Sequence, residues 1–208
     1  MKSGRMPVRS VVVLMLIGLV AAIVLAGLNE LTEERIEHEQ QTRALAAVAD
    51  LLPTGSYDND LLEDSITVSI DGYERDAIIY RARLAGEPVA AVIDVTTPQG
   101  YSGDIRLLVA VNVDGTIRTV SVLEHRETPG LGDRIEARRS DWLRQFAGRS
   151  LGDPEQEAWA SDRRGGEFDT LTSATITVAA VIEAVRQALK AFEAEQGTLF
   201  GGGEPDSE

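Results

Sequence analysis

Residues Ile105 to Glu124 read IRLLVAVNVDGTIRTVSVLE and carry the clearest strand pattern of the chain. Apolar and β-branched residues fill two runs, Ile105 to Val113 and Thr116 to Glu124, and Asp114-Gly115 lies between them. Strands are rich in such residues, and an Asp-Gly pair favours the positive φ angles of a two-residue hairpin turn. The stretch therefore predicts two antiparallel strands joined by a tight turn.

Three further strands are predicted on the N-terminal side of this hairpin. Short β-rich runs lie at Ile66 to Ile70, Ala77 to Leu84 and Pro88 to Thr96, and Ala85-Gly86 is the turn between the last two. Because consecutive hairpins pair their strands antiparallel, we expect one antiparallel sheet.

Helical patterns lie on both sides of the predicted sheet. A helix that ends at Pro53 is expected to dock on the domain through Leu28, Leu31, Ile36, Leu45, Val48, Leu51 and Leu52. A short helix, Asp141 to Ala147, is capped by Ser140 and ended by Gly148. The last helix carries an apolar stripe at steps of three and four, formed by Val178, Val181, Ile182, Val185, Leu189 and Phe192. The predicted fold class is α+β, an antiparallel sheet flanked by helices.

An apolar segment near the N-terminus predicts a single transmembrane helix. Val11 to Leu28 contains no charged residue and spans about 27 Å as a helix, close to the hydrocarbon thickness of a bilayer. Basic residues precede it and acidic residues follow it, so the positive-inside rule places the N-terminus in the cytoplasm. A cleaved signal peptide is the alternative, although the run is longer than the usual apolar core of ~7 to 15 residues.

The predicted organisation is a cytoplasmic stub with the transmembrane helix (1–28), a connecting helix and linker (29–65), the α+β domain (66–196) and a flexible tail (197–208). The expected location is the bacterial inner membrane, single-pass, with the soluble domain on the periplasmic side.

Composition narrows the possible functions. The net charge is −14, and without the three positive charges of Lys2, Arg5 and Arg9 it is −17. Such a surface repels nucleic acid, so no nucleic-acid partner is expected. The absence of cysteine excludes disulfides, cysteine-ligated iron–sulfur clusters, thiolate zinc sites and a cysteine nucleophile. Redox chemistry would therefore require a bound organic cofactor or a partner.

The segment richest in chemical information is Asp169-Thr170-Leu171-Thr172-Ser173-Ala174-Thr175, where a loop becomes the last helix. If Thr172 is the N-cap, Thr175 falls at the third helical position. Free N–H groups and the helix dipole then favour a phosphate near the Thr175 hydroxyl. On local chemistry alone, a simple capping signal is the favoured interpretation of these residues.

These seven residues resemble the flavinylation motif of the FMN-binding domain family, Asp-x-x-Ser/Thr-Gly/Ser-Ala-Thr. In that family a separate flavin transferase, using FAD, esterifies the last Thr to the FMN phosphate. The resemblance implies that Thr175 carries covalent FMN and that Asp169, Thr172, Ser173 and Ala174 complete the motif. Ser173 stands where Gly is common.

Two other stretches resemble the G-subunit family of Rnf electron-transport complexes. Residues 124–133, EHRETPGLGD, resemble the signature His-x-Glu-Thr-Pro-Gly-Leu-Gly, and Gly100-Tyr101-Ser102-Gly103 matches the segment Gly-Tyr-Ser-Gly. A Tyr ring can cover a flavin face, and Leu131 offers an apolar contact. Beside Thr175 and its motif, the expected cofactor-binding residues are Tyr101, Ser102, Glu127, Thr128, Gly130 and Leu131.

The resemblance implies an electron-transfer subunit of a membrane-bound, ion-translocating ferredoxin/NADH oxidoreductase complex that is not catalytic alone. Its cofactor would be FMN, and its partners the other Rnf subunits, the membrane and, during maturation, the flavin transferase. The alternatives are the C subunit of the sodium-pumping NADH:quinone reductase, a flavin carrier for another extracytoplasmic reductase, and a cofactor-free membrane-anchored assembly or sensing module.

The chain contains two histidines. His38 is expected on a solvated surface. His125, near Glu127, is expected to form loop-structuring hydrogen bonds rather than a metal site.

Overall fold

The computed structural model describes residues 11–23, 46–53 and 55–200. The chain divides into two compact units, Met1–Ala44 and Leu45–Glu208. In the first unit, residues 11–23 are helical and their apolar side chains are exposed. Within the described ranges, no helix combines the length and hydropathy needed to cross a membrane. Residues 24–28 of the predicted transmembrane segment lie outside those ranges, as does His38.

The second unit is built on a five-stranded antiparallel sheet in which neighbours in sequence are neighbours in space. The strands are β1 Ser65–Val68, β2 Ala77–Leu84, β3 Glu87–Thr97, β4 Ile105–Asn112 and β5 Ile117–Glu124. All five predicted strands are confirmed, and β2 has the predicted bounds. Together with the helices that pack on this sheet, they confirm the α+β fold class.

The two hairpin turns differ from each other. Ala85 and Gly86 both have positive φ angles, 53° and 82°, as a two-residue turn requires. At the β4–β5 turn, only Gly115 has a positive φ, and the loop between the strands contains four residues, 113–116. The Asp114 carboxylate accepts hydrogen bonds from the Thr116 amide (2.9 Å) and hydroxyl (2.6 Å), which closes this wider loop. The prediction of a two-residue Asp-Gly turn is therefore wrong.

Both faces of the sheet are buried, so β3 and β4 contain continuous runs of buried residues instead of alternation. One face packs on the C-terminal helix, Thr175–Phe200, through the predicted apolar stripe, whose six residues are all at most 2% exposed. The other face is covered by helical residues 46–51, where Val48 and Leu52 are buried against the sheet. This confirms the predicted docking before Pro53 for the described residues; Leu28, Leu31, Ile36 and Leu45 lie outside them.

The connection between β5 and the C-terminal helix is irregular and contains four short 3-10 helices, Gly132–Ile135, Trp142–Phe146, Gln156–Ala158 and Asp162–Arg164. The predicted α-helix at Asp141 to Ala147 is the second of these. Ser140 Oγ accepts the Trp142 N–H at 3.3 Å, and Gly148 follows with φ 81°. The predicted ends are close to the observed ones, but so short a segment adopts the tighter 3-10 form.

Aromatic side chains anchor this irregular segment to the main core. Phe146 packs edge-on against Trp142, with ring centroids 5.5 Å apart, and stacks on Phe168 at 4.9 Å. Trp159 completes the cluster at 4.9 Å from Phe168. Phe146 and Phe168 are fully buried, so the cluster fixes the loop that leads into the last helix.

Candidate cofactor site

The C-terminal helix begins at Thr175, directly after a tight turn. The Ala174 N–H donates to the carbonyl three residues earlier at 3.1 Å, and Ser173 adopts a left-handed conformation with φ 69°. The first helical hydrogen bond runs from the Val178 N–H to the Ala174 carbonyl at 2.9 Å. Ala174 is therefore the N-cap. The prediction that Thr172 is the N-cap, with Thr175 at the third position, is wrong because a left-handed residue interrupts the helical backbone before Ala174.

A cavity of about 340 Å³ opens beside this helix start. Its volume lies within the range of cofactor sites, roughly 300–1,000 Å³. Three segments form its wall: the loop after β3, the loop after β5 and the first turn of the last helix. The lining residues are Tyr101, Glu127, Thr128, Leu131, Gly132, Ser173, Ala174, Thr175, Ile176 and Thr177. The three motif segments quoted from the sequence, at residues 100–103, 124–133 and 169–175, thus contribute residues to one cavity.

The wall of this cavity is partly apolar and contains no cationic side chain. Tyr101, Leu131 and Ile176 contribute exposed apolar surface, with 67%, 43% and 49% of each residue accessible. Thr175 is also exposed, and none of the ten lining residues is Lys, Arg or His. The cavity therefore offers aromatic and aliphatic contacts and an accessible hydroxyl at a helix N-terminus.

Glu127 connects the three segments that form the cavity. One of its carboxylate oxygens, Oε1, accepts the Ser102 N–H at 3.1 Å, and the other, Oε2, accepts the Thr177 hydroxyl at 2.5 Å. Glu127 is only 5% exposed, and it forms no ion pair within the described part of the chain. The site thus contains a buried acid that is held by neutral donors alone.

Two glycines are needed because the Glu127 side chain passes directly over their backbone. A Cβ on Gly100 would lie 2.9 Å from Glu127 Oε1 and 2.2 Å from the Gly103 carbonyl oxygen. A Cβ on Gly132 would lie 2.7 Å from Oε2 and 2.8 Å from the Glu127 Cβ. No room remains for a side chain at either position.

His125 fixes the backbone that carries Glu127. The His125 Nδ1 accepts the Glu127 N–H at 3.0 Å, so Nε2 carries the proton that is donated to Glu136 Oε1 at 2.8 Å. Hydrogen bonds from Arg138 and from His125 lower the pKa of Glu136 to about 2, which keeps this acceptor ionised. The predicted loop-structuring role of His125 is confirmed. No group of ligands suited to a metal ion occurs within residues 11–23, 46–53 and 55–200.

Four of the predicted cofactor-binding residues do not line the cavity. Ser102 lies behind Glu127 and contacts it through its backbone N–H. Thr172 is exposed in the turn before the helix, and Gly130, with φ 79°, shapes the loop while its N–H donates to Asp133 Oδ1 at 2.8 Å.

Asp169 is the fourth, and it borders a separate open cavity together with Trp142 and Gln145. Its peptide N–H donates to Gln145 Oε1 at 2.7 Å, and its carbonyl accepts Trp142 Nε1–H at 2.6 Å. The backbone at Asp169 is thus held by the 3-10 helix, while the residue itself is exposed.

Sequence reasoning missed three lining residues, Gly132, Ile176 and Thr177. Ile176 carries a recognisable signal, because an exposed apolar residue lies there outside the buried stripe of the helix. The role of Thr177 depends on Glu127, which is fifty positions away in sequence, so no local pattern indicates it.

Comparison with known proteins agrees with this geometry. Residues 100–190 match the family described as FMN-binding domain. The chain is 43% identical to the G subunit of the ion-translocating oxidoreductase complex of Pseudoalteromonas atlantica over 86% of each chain. It is 40% identical to the subunit of the same name from Pseudomonas aeruginosa over 94% of this chain and 93% of the relative. The corresponding protein of Yersinia pestis is 41% identical over 78% and 79%.

Among solved structures, the crystal structure of the C subunit of Na(+)-translocating NADH-quinone reductase from Parabacteroides distasonis has a TM-score of 0.46 and 19% identity over 70% of each chain. The G-subunit relatives are far more similar in sequence and match most of their own length. The cofactor of this chain is FMN, as the FMN-binding domain match and these relatives together indicate. The chain therefore belongs to the G-subunit family of ion-translocating oxidoreductase complexes.

Proposed function

We propose that this chain carries FMN in the cavity at the start of the last helix, bound by a phosphoester to the Thr175 hydroxyl, and relays electrons within a membrane-bound ion-translocating oxidoreductase complex. The observation that supports this most directly is the position of Thr175. Its exposed hydroxyl lies in the wall of a cofactor-sized cavity, at the first residue of a 26-residue helix.

The helix start suits a phosphate group. The N–H groups of Thr175, Ile176 and Thr177 precede the first helical hydrogen bond, so the helix offers them no acceptor. Together with the positive end of the helix dipole, such N–H groups attract an anion. An accessible hydroxyl also suits a residue that a separate flavin transferase must reach.

The charges around the cavity explain why a covalent bond would be needed. Non-covalent phosphate binding usually involves Arg or Lys, and the lining contains neither. Its one ionisable acid, Glu127, is buried, and the whole chain has a net charge of −14. These charges oppose retention of a phosphate by affinity, whereas an ester retains the cofactor regardless of affinity.

The other lining residues would hold the flavin ring. FMN accepts and donates electrons singly or in pairs, and the protein supplies position and electrostatics. Tyr101, Leu131 and Ile176 provide flat or aliphatic surface at the open side of the cavity. Ser173 and Ala174 are small enough to leave space beside the ester.

Asp169 has a different proposed role from the lining residues. It is exposed on a neighbouring surface, and its backbone is fixed by Trp142 and Gln145. We assign it to recognition by the flavin transferase, together with exposed Thr172. Gly130 and Ser102 would act indirectly, by shaping the loops that position Leu131 and Glu127.

The names of the relatives, which are subunits of an ion-translocating oxidoreductase complex, support the proposed partners. We propose that this chain assembles with the other subunits of such a complex and is anchored in the bacterial inner membrane by residues 11–28. Residues 29–65 would connect this anchor to a periplasmic FMN-binding domain, 66–196. Of the predicted tail, 197–208, residues 197–200 instead belong to the last helix, where Leu199 is buried, and residues 201–208 lie outside the described residues.

The test is mass spectrometry of the full chain after coexpression with a flavin transferase. The wild-type peptide that contains Thr175 should carry the mass of one esterified FMN, and Thr175→Ala should carry none. Thr175→Ser should retain some flavin, because the hydroxyl remains. Thr170→Ala is the matched control: it removes a nearby hydroxyl that lies outside the cavity, and flavin should remain on Thr175. An unmodified wild-type peptide would contradict the proposal.

A further inference from the structure

We infer that Glu127 sets the reduction potential of the cofactor, holding it more negative than a neutral side chain at the same place would. This inference rests on the proposed function, because it concerns a flavin held at Thr175. It goes beyond that function in giving one residue of the cavity wall an electrostatic role, separate from attachment and from binding.

The first observation is an uncompensated charge in the wall of the cavity. Both carboxylate oxygens of Glu127 accept hydrogen bonds, the pattern of an ionised carboxylate, which has no proton to donate. Its two partners, the Ser102 amide and the Thr177 hydroxyl, are neutral. Since the ten lining residues include no cation, no charged side chain in the cavity wall cancels this charge.

The second observation is that the carboxylate cannot turn away. Its oxygens lie against the backbone of Gly100 on one side and Gly132 on the other, so closely that a Cβ on either glycine would fall within 3.0 Å of them. The Glu127 backbone is fixed in turn by His125. The negative charge therefore keeps one position relative to the cavity.

Electrostatics then determines the direction of the effect. Reduction of a flavin adds electrons to its ring, and a fixed negative charge nearby opposes this addition. Solvent screens such a charge weakly when it is only 5% exposed. A cavity of about 340 Å³ also keeps any bound group close to its wall. Glu127 should therefore shift the midpoint potential in the negative direction.

Thr177 should moderate this effect. Its hydroxyl donates to Oε2, with 2.5 Å between the two oxygens, so the hydroxyl dipole offsets part of the carboxylate charge. Thr177 is 1% exposed and should act on the cofactor mainly through Glu127. Removal of the hydroxyl should consequently make the potential more negative, the opposite of removing the carboxylate charge.

The experiment measures midpoint potentials by spectroelectrochemistry on flavinylated full-length chains at mildly alkaline pH, where carboxylates are ionised. Glu127→Gln removes the charge at constant size, and its amide can keep both hydrogen bonds because the Thr177 oxygen also accepts. We expect a more positive potential for Glu127→Gln and a more negative one for Thr177→Val. In the Glu127→Gln background, Thr177→Val should have little further effect.

Glu124→Gln is the matched control, because it removes the same charge from an exposed residue of the same segment that faces a different cavity. Its potential should remain at the wild-type value. An unchanged or more negative potential in Glu127→Gln, or shifts of the same sign in Glu127→Gln and Thr177→Val, would overturn the inference. If Glu127→Gln does not fold, the potential of Thr177→Val alone decides. The absence of a negative shift in that variant would then overturn the inference. Wild-type protein without flavin would instead refute the proposed function.

Discussion

Among single residues, Glu127 organises the cavity, because it lies in one segment of the wall and accepts hydrogen bonds from Ser102 and Thr177 in the other two. Seven of the ten lining residues are among those that the sequence predicts to bind the cofactor, such as Thr175. Gly132 and Thr177 both contact one acid, Glu127, and Thr177 lies fifty positions away from it in sequence. A sequence pattern records that a glycine or a hydroxyl is present, but not which distant side chain approaches it.

Ser173 shows how one residue can carry conformational strain in an otherwise regular element. Its φ of 69° lies in the left-handed region, which disfavours residues with a Cβ and is readily adopted by Gly. The FMN-binding motif accepts Gly at this position. The left-handed turn explains that preference, because it directs the chain into the helix at Ala174.

We therefore predict that Ser173→Gly stabilises the protein. Relief of the left-handed strain exceeds the added freedom of glycine in the unfolded chain, so the free energy of unfolding should rise by roughly 0.5–1 kcal/mol. Denaturant unfolding of the flavin-free protein measures this change. Ser173→Ala is the control: it keeps a Cβ and should give no gain. Equal stability changes in Ser173→Gly and Ser173→Ala would show that φ at this position is not the cause.

At the scale of elements, regular strands were predictable and irregular helices were not. The five strands follow from β-branched runs and turn residues because both faces of the sheet are buried, which leaves long apolar segments in β3 and β4. The segment Trp142–Phe146 has the residues of a helix but only five of them, and so short a segment adopts the 3-10 form, while Phe146 packs on Trp159 and Phe168.

This 3-10 helix holds the start of the motif at residues 169–175 through Gln145. The Gln145 side chain donates to the Trp142 carbonyl at 2.9 Å and accepts the Asp169 N–H at 2.7 Å. We predict that Gln145→Ala accelerates amide hydrogen exchange at Asp169 roughly tenfold, the factor expected from losing one hydrogen bond of about 1 kcal/mol or slightly more.

Arg144→Ala is the control for that experiment, because Arg144 is exposed and pairs only with exposed Asp141 among the described residues. Exchange at Asp169 should remain at the wild-type rate in this variant. If Gln145→Ala and Arg144→Ala exchange alike, the side chain of Gln145 does not hold the motif.

At the scale of the whole molecule, charge and hydropathy act in opposite directions on membrane attachment. The whole chain has a net charge of −14. Without the three positive charges of Lys2, Arg5 and Arg9, the part that follows Arg9 has a net charge of −17. Anionic lipid headgroups repel such a surface. Electrostatic adsorption therefore does not favour holding the domain at a membrane, and we expect the apolar segment at residues 11–28 to supply the attachment.

This reasoning gives a prediction for the location of the chain in cells. The full-length protein should stay in the membrane fraction through a high-salt wash, since salt weakens charge interactions but not burial of an apolar helix. A chain without residues 1–28 that carries a separate export signal should be released into the soluble periplasmic fraction and still contain FMN. Intact mass spectrometry of the membrane-bound protein should show residues 11–28 retained. A mature protein that begins after this segment would establish a cleaved signal peptide instead, and attachment would then depend on the partner subunits.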